Sequence, residues 1–300
     1  MSFADVAGTI AGNAFDAMTP LVFAALGGLF TELSGMLNIA LEGLILTGAF
    51  FGVIAASLTQ SAFAGFIAAG MAAAVLAWVY GAATIRLKAN VFVTGLAANI
   101  FASGLTAVLS NAWFGTKSVV AFSSPALPAP FAAALGGIPF FGKALFSHDL
   151  IAYASWIAVA ATSAVAFRTR AGMKMRATGA NAEAVKAAGF DPDASRLLAI
   201  VVSGLFCGFA GASLSLPLSA YVPNMSAGRG WIALVAIYLG GRRPGRIALA
   251  CLVFALAESY SNYAQGTLKI PTEFILAMPY AATLAALVIG SALGRARSSK

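Results

Sequence analysis

Charge is what this chain has least of. Only 9% of its 300 residues are Asp, Glu, Lys or Arg, where about 25% is usual for a soluble domain. With 60% hydrophobic residues and a mean hydropathy of +0.89, that deficit excludes an ordinary water-soluble fold. Histidine occurs once, as His148 beside Asp149, and no metal-ligand spacing surrounds it. The two cysteines, Cys207 and Cys251, sit in apolar segments and read as small buried hydrophobes, not as a disulfide framework. No G-x-x-x-x-G-K-[ST] loop is present; GTKS at 115–118 has the wrong spacing. No acid–base pair stands out among the ten carboxylates. The chain is therefore expected to be no enzyme, to hydrolyse no ATP and to bind no metal or cofactor. The N-terminus has no basic region ahead of its first apolar run, so no cleavable signal is expected.

What is abundant is long apolar sequence. Runs of 18 or more residues, each enough to cross a hydrocarbon core of about 30 Å, recur along the chain. The expected fold is all-α and polytopic. About nine transmembrane helices (eight to ten) are expected, near residues 3–29, 36–57, 62–85, 91–113, 150–167, 197–218, 230–239, 247–263 and 274–293. Pro20 is a potential kink in the first. The segment 230–239 is about 15 Å long as a helix, too short to cross alone, so it is expected to be extended by 227–229 or to be a shielded half-helix. A Pro/Gly-rich loop fills about 114–148. The whole chain, 1–300, is read as a single transmembrane domain.

The net charge of +8 does not point to nucleic acid, because the basic residues lie in short loops between spans. Nine crossings place 86–88, 168–196, 242–246 and 295–300 on one side, with 14 of the 18 Lys/Arg. The other side holds only Lys117, Lys143, Arg229 and Lys269. The rich side is expected to be cytoplasmic, with the N-terminus outside and the C-terminus inside.

Polar residues at membrane depth are costly without a partner or a wet cavity. Asn99, Ser103, Thr106 and Ser110 share one helical face, as do Glu258, Ser261, Asn262 and Gln265. They read either as stitches between helices or as the lining of a substrate path for a hydroxyl-rich or heterocyclic molecule. Asn38 and Trp231 join the path set, beside Asn99, Ser103, Thr106, Glu258, Ser261 and Asn262. Glu42 is expected close to the cytoplasmic face, as a cap or as a partner of Arg86 or Lys88, and reads as structural or as part of the substrate path.

The longest polar interruption is 168–196, with six of the 18 Lys/Arg. Asn181 is a good N-cap, Glu183 suits a first turn and Gly189 is a good stop. These predict a helix of about seven residues presenting Ala182, Val185, Ala188 and Phe190. Such a helix is marginal alone and reads as a docking knob for a partner or as a loop helix on lipid headgroups.

Five stretches in chain order carry a resemblance. They are SGMLNIALEGLILTGAF (34–50), TGLAANIFASGLT (94–106), GANAEAVKAAGF (179–190), SGLFCGFAGASLSL (203–216) and GRGWIALVAIYLGGRRPGRIALA (228–250). The chain resembles permease subunits of bacterial ABC importers of the ribose/branched-chain amino acid type, closest to the shorter of the paired simple-sugar/nucleoside permeases. The resemblance implies a type II importer fold in the bacterial cytoplasmic (inner) membrane. It also implies a second homologous permease, cytoplasmic ATP-binding subunits that hold ATP and Mg, and an extracytoplasmic substrate-binding lipoprotein. Residues 179–190 would be the cytoplasmic coupling helix, with Gly179, Asn181, Glu183, Val185, Ala188, Gly189 and Phe190 at the ATPase. Thr31-Glu32-Leu33-Ser34 departs from the family's usual basic residue and serine. Nucleosides are the expected substrate, simple sugars or branched-chain amino acids the alternative. An ion-coupled secondary transporter, which needs a titrating midplane carboxylate, is the rival of another class.

Overall fold

A computed structural model describes residues 3–138 and 140–267. Helix α1 (Phe3–Leu33) runs unbroken through Pro20. After the non-helical segment 34–40 come α2 (Leu41–Thr59), then α3 (Ala62–Gly81) with a closing π turn (Ala82–Arg86), and α4 (Val91–Phe114). Strand β1 (Val120–Ala121), a one-turn helix α5 (Ala132–Leu135) and a second π turn (Gly142–Phe146) precede α6 (Leu150–Arg168). Two short helices follow, α7 (Arg170–Ala180) and α8 (Ala182–Ala187), and lead into α9 (Pro192–Leu218). Strand β2 (Ala220–Tyr221), α10 (Arg229–Leu239) and α11 (Pro244–Thr267) complete the described chain.

Local chemistry sets these boundaries. Ser61 accepts from Ala64 N–H at the start of α3, and Asn90 accepts from Phe92 and Val93 N–H at the start of α4. Asp191 caps α9, with Pro192 in the first turn, where its missing N–H costs nothing.

Seven described helices are long and apolar enough to cross a membrane: α1, α2, α3 with its π turn, α4, α6, α9 and α11. The expected span at 274–293 lies outside the described residues. Helix α1 is the most deeply buried of the seven and packs against α6, α9, α10 and α11. Helices α2, α3 and α9 close around one another on its other flank. The crossings are tight because small residues meet: Gly48 faces Gly208, and neither has room for a Cβ. Helix α4 lies outermost and exposes Phe92, Val93, Leu96, Ile100 and Phe101. A chain this apolar leaves such faces to lipid or to another subunit.

The two ends of the bundle differ. One carries the β1–β2 ribbon, with Val120 opposite Tyr221 in an antiparallel pair. The other carries the 86–88 turn, α7, α8 and the 240–243 turn, and is rich in Lys and Arg.

Candidate functional site

Two breaks in the helical backbone meet within the bundle. The first is 34–40. It leaves the basic end at Gly35, whose positive φ of 78° suits glycine and which lies against the backbone of Gly179. It ends where α2 begins, beside Asn99, well inside the span of α4. The second is 222–228, which descends from β2 and ends where α10 begins. Asn224 Oδ1 accepts from Ser103 Oγ at 3.0 Å, about midway along α4. Both breaks therefore end at membrane depth, where unpaired backbone groups are expensive.

The orphan groups at these ends are met in trans. Helix α2 has no side-chain cap of its own. Asn99 of α4 supplies it: its amide donates to Ile39 O at 2.9 Å and its carbonyl accepts from Gly43 N–H at 2.8 Å. Helix α10 also lacks a cap from its own N-cap residue, Gly228, which sits at φ +80°. There the carboxylate of Glu42 takes both donors, Gly228 N–H on Oε1 and Gly230 N–H on Oε2, each at 2.8 Å. A carboxylate at a helix N-terminus gains from the dipole as well as from the hydrogen bonds. Glu42 is thus at mid-depth and tied to α10, not near the basic end with Arg86 or Lys88. The 34–40 segment carries it inward before the helix starts, which hydropathy alone does not reveal.

Beside this junction, Arg229 Nη2 pairs with Glu258 Oε1 at 2.7 Å, and Arg229 Nη1 reaches Met225 O. Both side chains are largely shielded, 17% and 25% exposed. Arg229 had been counted with the loop charges of the ribbon end; it lies inside because 222–228 turns back into the bundle. Trp231 (44% exposed) and Tyr238 (48%) stand on the outer face of α10, and Tyr260 (48%) on that of α11.

The expected path residues divide. Asn99 and Asn38 hold the first break: Asn38 donates to Ser203 Oγ at 2.9 Å and accepts from Ala40 N–H, and it is buried. Ser103 supports the second break, and Glu258 is the partner of Arg229. Thr106 is buried and donates back to Ala102 O and Ser103 O; Ser261 is also buried. Neither faces open space. Asn262 and Trp231 are exposed. The residues that periodicity missed are Glu42, Arg229, Ser203 and Asn224; the signals that could have found them are the glycines flanking Arg229 and Pro223 ahead of a helix too short to cross.

At the basic end, α8 has the expected cap, with Asn181 Oδ1 accepting from Ala184 N–H at 3.0 Å. Glu183 lies in its first turn, and Gly189 adopts φ +84°. The helix has six residues and follows α7, which had been expected as loop. Glu183, Ala188, Gly189 and Phe190 are exposed, but Val185 is 7% exposed and points inward. Lys174 Nζ covers the Phe190 ring at 4.1 Å. Gly179 abuts Leu33 and Gly35 so closely that a Cβ has no room. Glu32, the acidic departure near the end of α1, is answered by Arg242 at 2.6 Å and by Tyr238 Oη at 3.2 Å.

At the ribbon end, His148 Nδ1 lies 2.7 Å from Asp16 Oδ1, Nε2 lies 3.1 Å from Ala144 O, and the ring stacks on Phe15 at 4.4 Å. Burial alone lowers its pKa, but the hydrogen bond and charge of Asp16, with the Ala144 carbonyl and Asp149, outweigh this and raise it. Burial and the charge of Asp16 likewise raise Asp149, partly offset by His148.

The family model described as branched-chain amino acid transport system / permease component matches residues 10–293. The chain is 32% identical to the guanosine ABC transporter permease protein of Bacillus subtilis, over 94% of this chain and 91% of that one. It is 27% identical to the nucleoside ABC transporter permease protein of Lactococcus lactis, over 97% and 94%. It is 33% identical to a putative glucose ABC transporter permease protein of Haloferax volcanii, over 81% and 74%. No solved structure matches significantly. The chain belongs to this permease family and is a multi-pass ABC importer permease.

Proposed function

We propose that this permease carries nucleosides inward by alternating access, with a second homologous permease beside it. ATP-binding subunits holding ATP and Mg would drive it from the cytoplasm, and a binding lipoprotein would deliver substrate outside. The observation that carries the location of the path is the exposed irregular backbone of 222–228 at mid-depth. Backbone of this kind is tolerated only against protein or a water-lined cavity, and here it stands with Asn224, Ser103 and the exposed Trp231. That combination of hydrogen-bonding groups and an aromatic suits a sugar-linked heterocycle.

The Glu42 clamp supports a neutral substrate. A free helix N-terminus at mid-depth would favour an anionic group such as an amino acid carboxylate. At α10 that position is already filled by Glu42. The same geometry favours nucleosides or sugars over branched-chain amino acids, and the nucleoside permeases align over nearly the full chain. A simple-sugar importer is the second reading, favoured by the glucose permease relative. Glu258 held by Arg229 argues against an ion-coupled carrier, which needs an uncompensated carboxylate at the midplane.

The excess of Lys and Arg supports a cytoplasmic position for the end with α7 and α8. Helix α8 is then the coupling element, with Gly179, Asn181, Glu183, Ala188, Gly189 and Phe190 at or beside the ATPase and Val185 anchoring it from within. A push on α8 reaches the substrate path through backbone contact: Gly179 against Gly35, then the 34–40 break, then Glu42 and α10. Uptake of labelled guanosine, ribose and leucine by the reconstituted four-component importer tests the reading. ATP-dependent uptake of guanosine alone is expected; uptake of leucine in its place overturns it.

A further inference from the structure

A groove of about 580 Å³ opens at the basic end between α6 and the start of α11, lined by Ser163, Phe167, Arg243, Pro244, Gly245 and Arg246. Its neighbour Arg242 is committed to Glu32, whereas Arg243 and Arg246 are exposed and have no ion pair or side-chain hydrogen bond among the described residues. A third guanidinium, Arg176, lies 5.1 Å from the centre of the Phe167 ring, and its Nε is buried without a partner. In the first turn of α11, Pro244 has no N–H and Ile247 N–H bonds Arg243 O at 2.9 Å, which leaves the amides of Gly245 and Arg246 to face the opening. Two guanidinium groups lining one opening, with a third against the Phe167 ring of its wall, describe an anion site at the boundary of the membrane.

The apolar surface beside the opening distinguishes the source of the anion. Arg246, Leu249, Val253 and Leu256 fall at i, i+3, i+7 and i+10, on one face of α11. Leu249 is 61% exposed, Val253 54% and Leu256 40%. From Arg246 to Leu256 the rail is about 15 Å long, one leaflet of a core about 30 Å thick. A free phosphate has no use for such a rail, but an acyl chain does.

We propose that this groove binds one anionic phospholipid, its phosphate held by Arg243 and Arg246 and its acyl chain laid along α11. The probe is phosphatidylglycerol in phosphatidylcholine nanodiscs carrying the full chain, with retained lipid counted by native mass spectrometry. One phosphatidylglycerol per chain is expected. Each arginine is worth a factor of about five near an anionic lipid, so R243Q/R246Q should lose about twenty-five-fold in retention. Ser163→Leu, which narrows the opening and keeps every charge, should also release the lipid. The pair R86Q/K88Q, which removes two exposed basic residues of the same end, should keep it. Equal loss from both basic pairs means diffuse attraction to the surface and overturns the site. Displacement by millimolar inorganic phosphate assigns a free-anion site and overturns the lipid. Displacement by the ATP-binding subunit makes the groove a protein contact and overturns it as well.

Discussion

Glu42 Oε2 accepts the backbone N–H of Gly230 at 2.8 Å, 188 residues away in sequence and in the middle of the bundle. One carboxylate, in the first turn of α2, thereby closes the open end of α10. Gly230 cannot carry a side chain here, since a Cβ would meet the backbone of Glu42.

Removing the carboxylate leaves two buried amides unsatisfied, at about 1–3 kcal/mol each. E42A should therefore unfold markedly earlier than wild type in a detergent thermal-shift series and lose uptake. E42Q, which keeps one acceptor, should fall between. A wild-type melting curve for E42A would remove the clamp.

Asn99 should behave as a bridge between two backbone groups. Asn99→Asp keeps the acceptor for Gly43 N–H but loses the donor to Ile39 O, whereas Asn99→Ala loses both. Stability should order as wild type, Asp, Ala, with about 1 kcal/mol or more between steps. Chemical denaturation of the purified chain gives the order directly. Equal effects from both substitutions would mean that only one of the two bonds matters.

Arg229 and Glu258 should be worth more together than apart. Breaking a shielded pair strands a charge, while removing both ends does not. R229Q and E258Q should each reduce folded yield more than R229Q/E258Q. If Glu258 instead titrated as an ion-coupling group, E258Q alone would abolish the pH dependence of uptake and the double variant would not recover.

On α8, inward and outward positions should separate folding from coupling. Val185→Glu buries a charge and should destabilise by about 3 kcal/mol or more. Ala187→Glu, on the exposed face, should leave the fold intact and abolish substrate-stimulated ATP hydrolysis in the assembled importer. Full stimulation in Ala187→Glu would remove α8 from the ATPase contact.

His148 gives a pH dependence with a defined sign. Its folded pKa is raised, so the protonated ring stabilises the fold below the unfolded value of about 6.5. That contribution is lost as pH rises through the raised folded value. The raised carboxyl of Asp149 acts in the same direction at lower pH. Thermal stability should fall between about pH 6 and 8, modestly because Asp16 is 61% exposed. His148→Gln should flatten the curve; an unchanged slope would assign it elsewhere.

Much of this architecture was legible because it follows from local chemistry. The apolar runs, the cap at Asn181 and the shortness of α10 are all properties of neighbouring residues. The site was legible only in its ingredients. Asn99, Ser103 and Glu258 stood out as polar residues in apolar helices, but periodicity gives a face and not what the face meets. Thr106 and Ser261 share those faces and are buried.

The sequence by itself determined the membrane class, the asymmetry of charge between the two ends and the positions of most helices, because length, hydropathy and capping act within a turn or two. The tertiary structure alone decided that 34–40 and 222–228 turn into the bundle, and so carried Glu42 and Arg229 to mid-depth. The physical reason is that backbone groups freed by a break in an apolar medium must be paired. In this chain their partners, Asn99 for Gly43 and Glu42 for Gly228 and Gly230, come from elements far away in sequence.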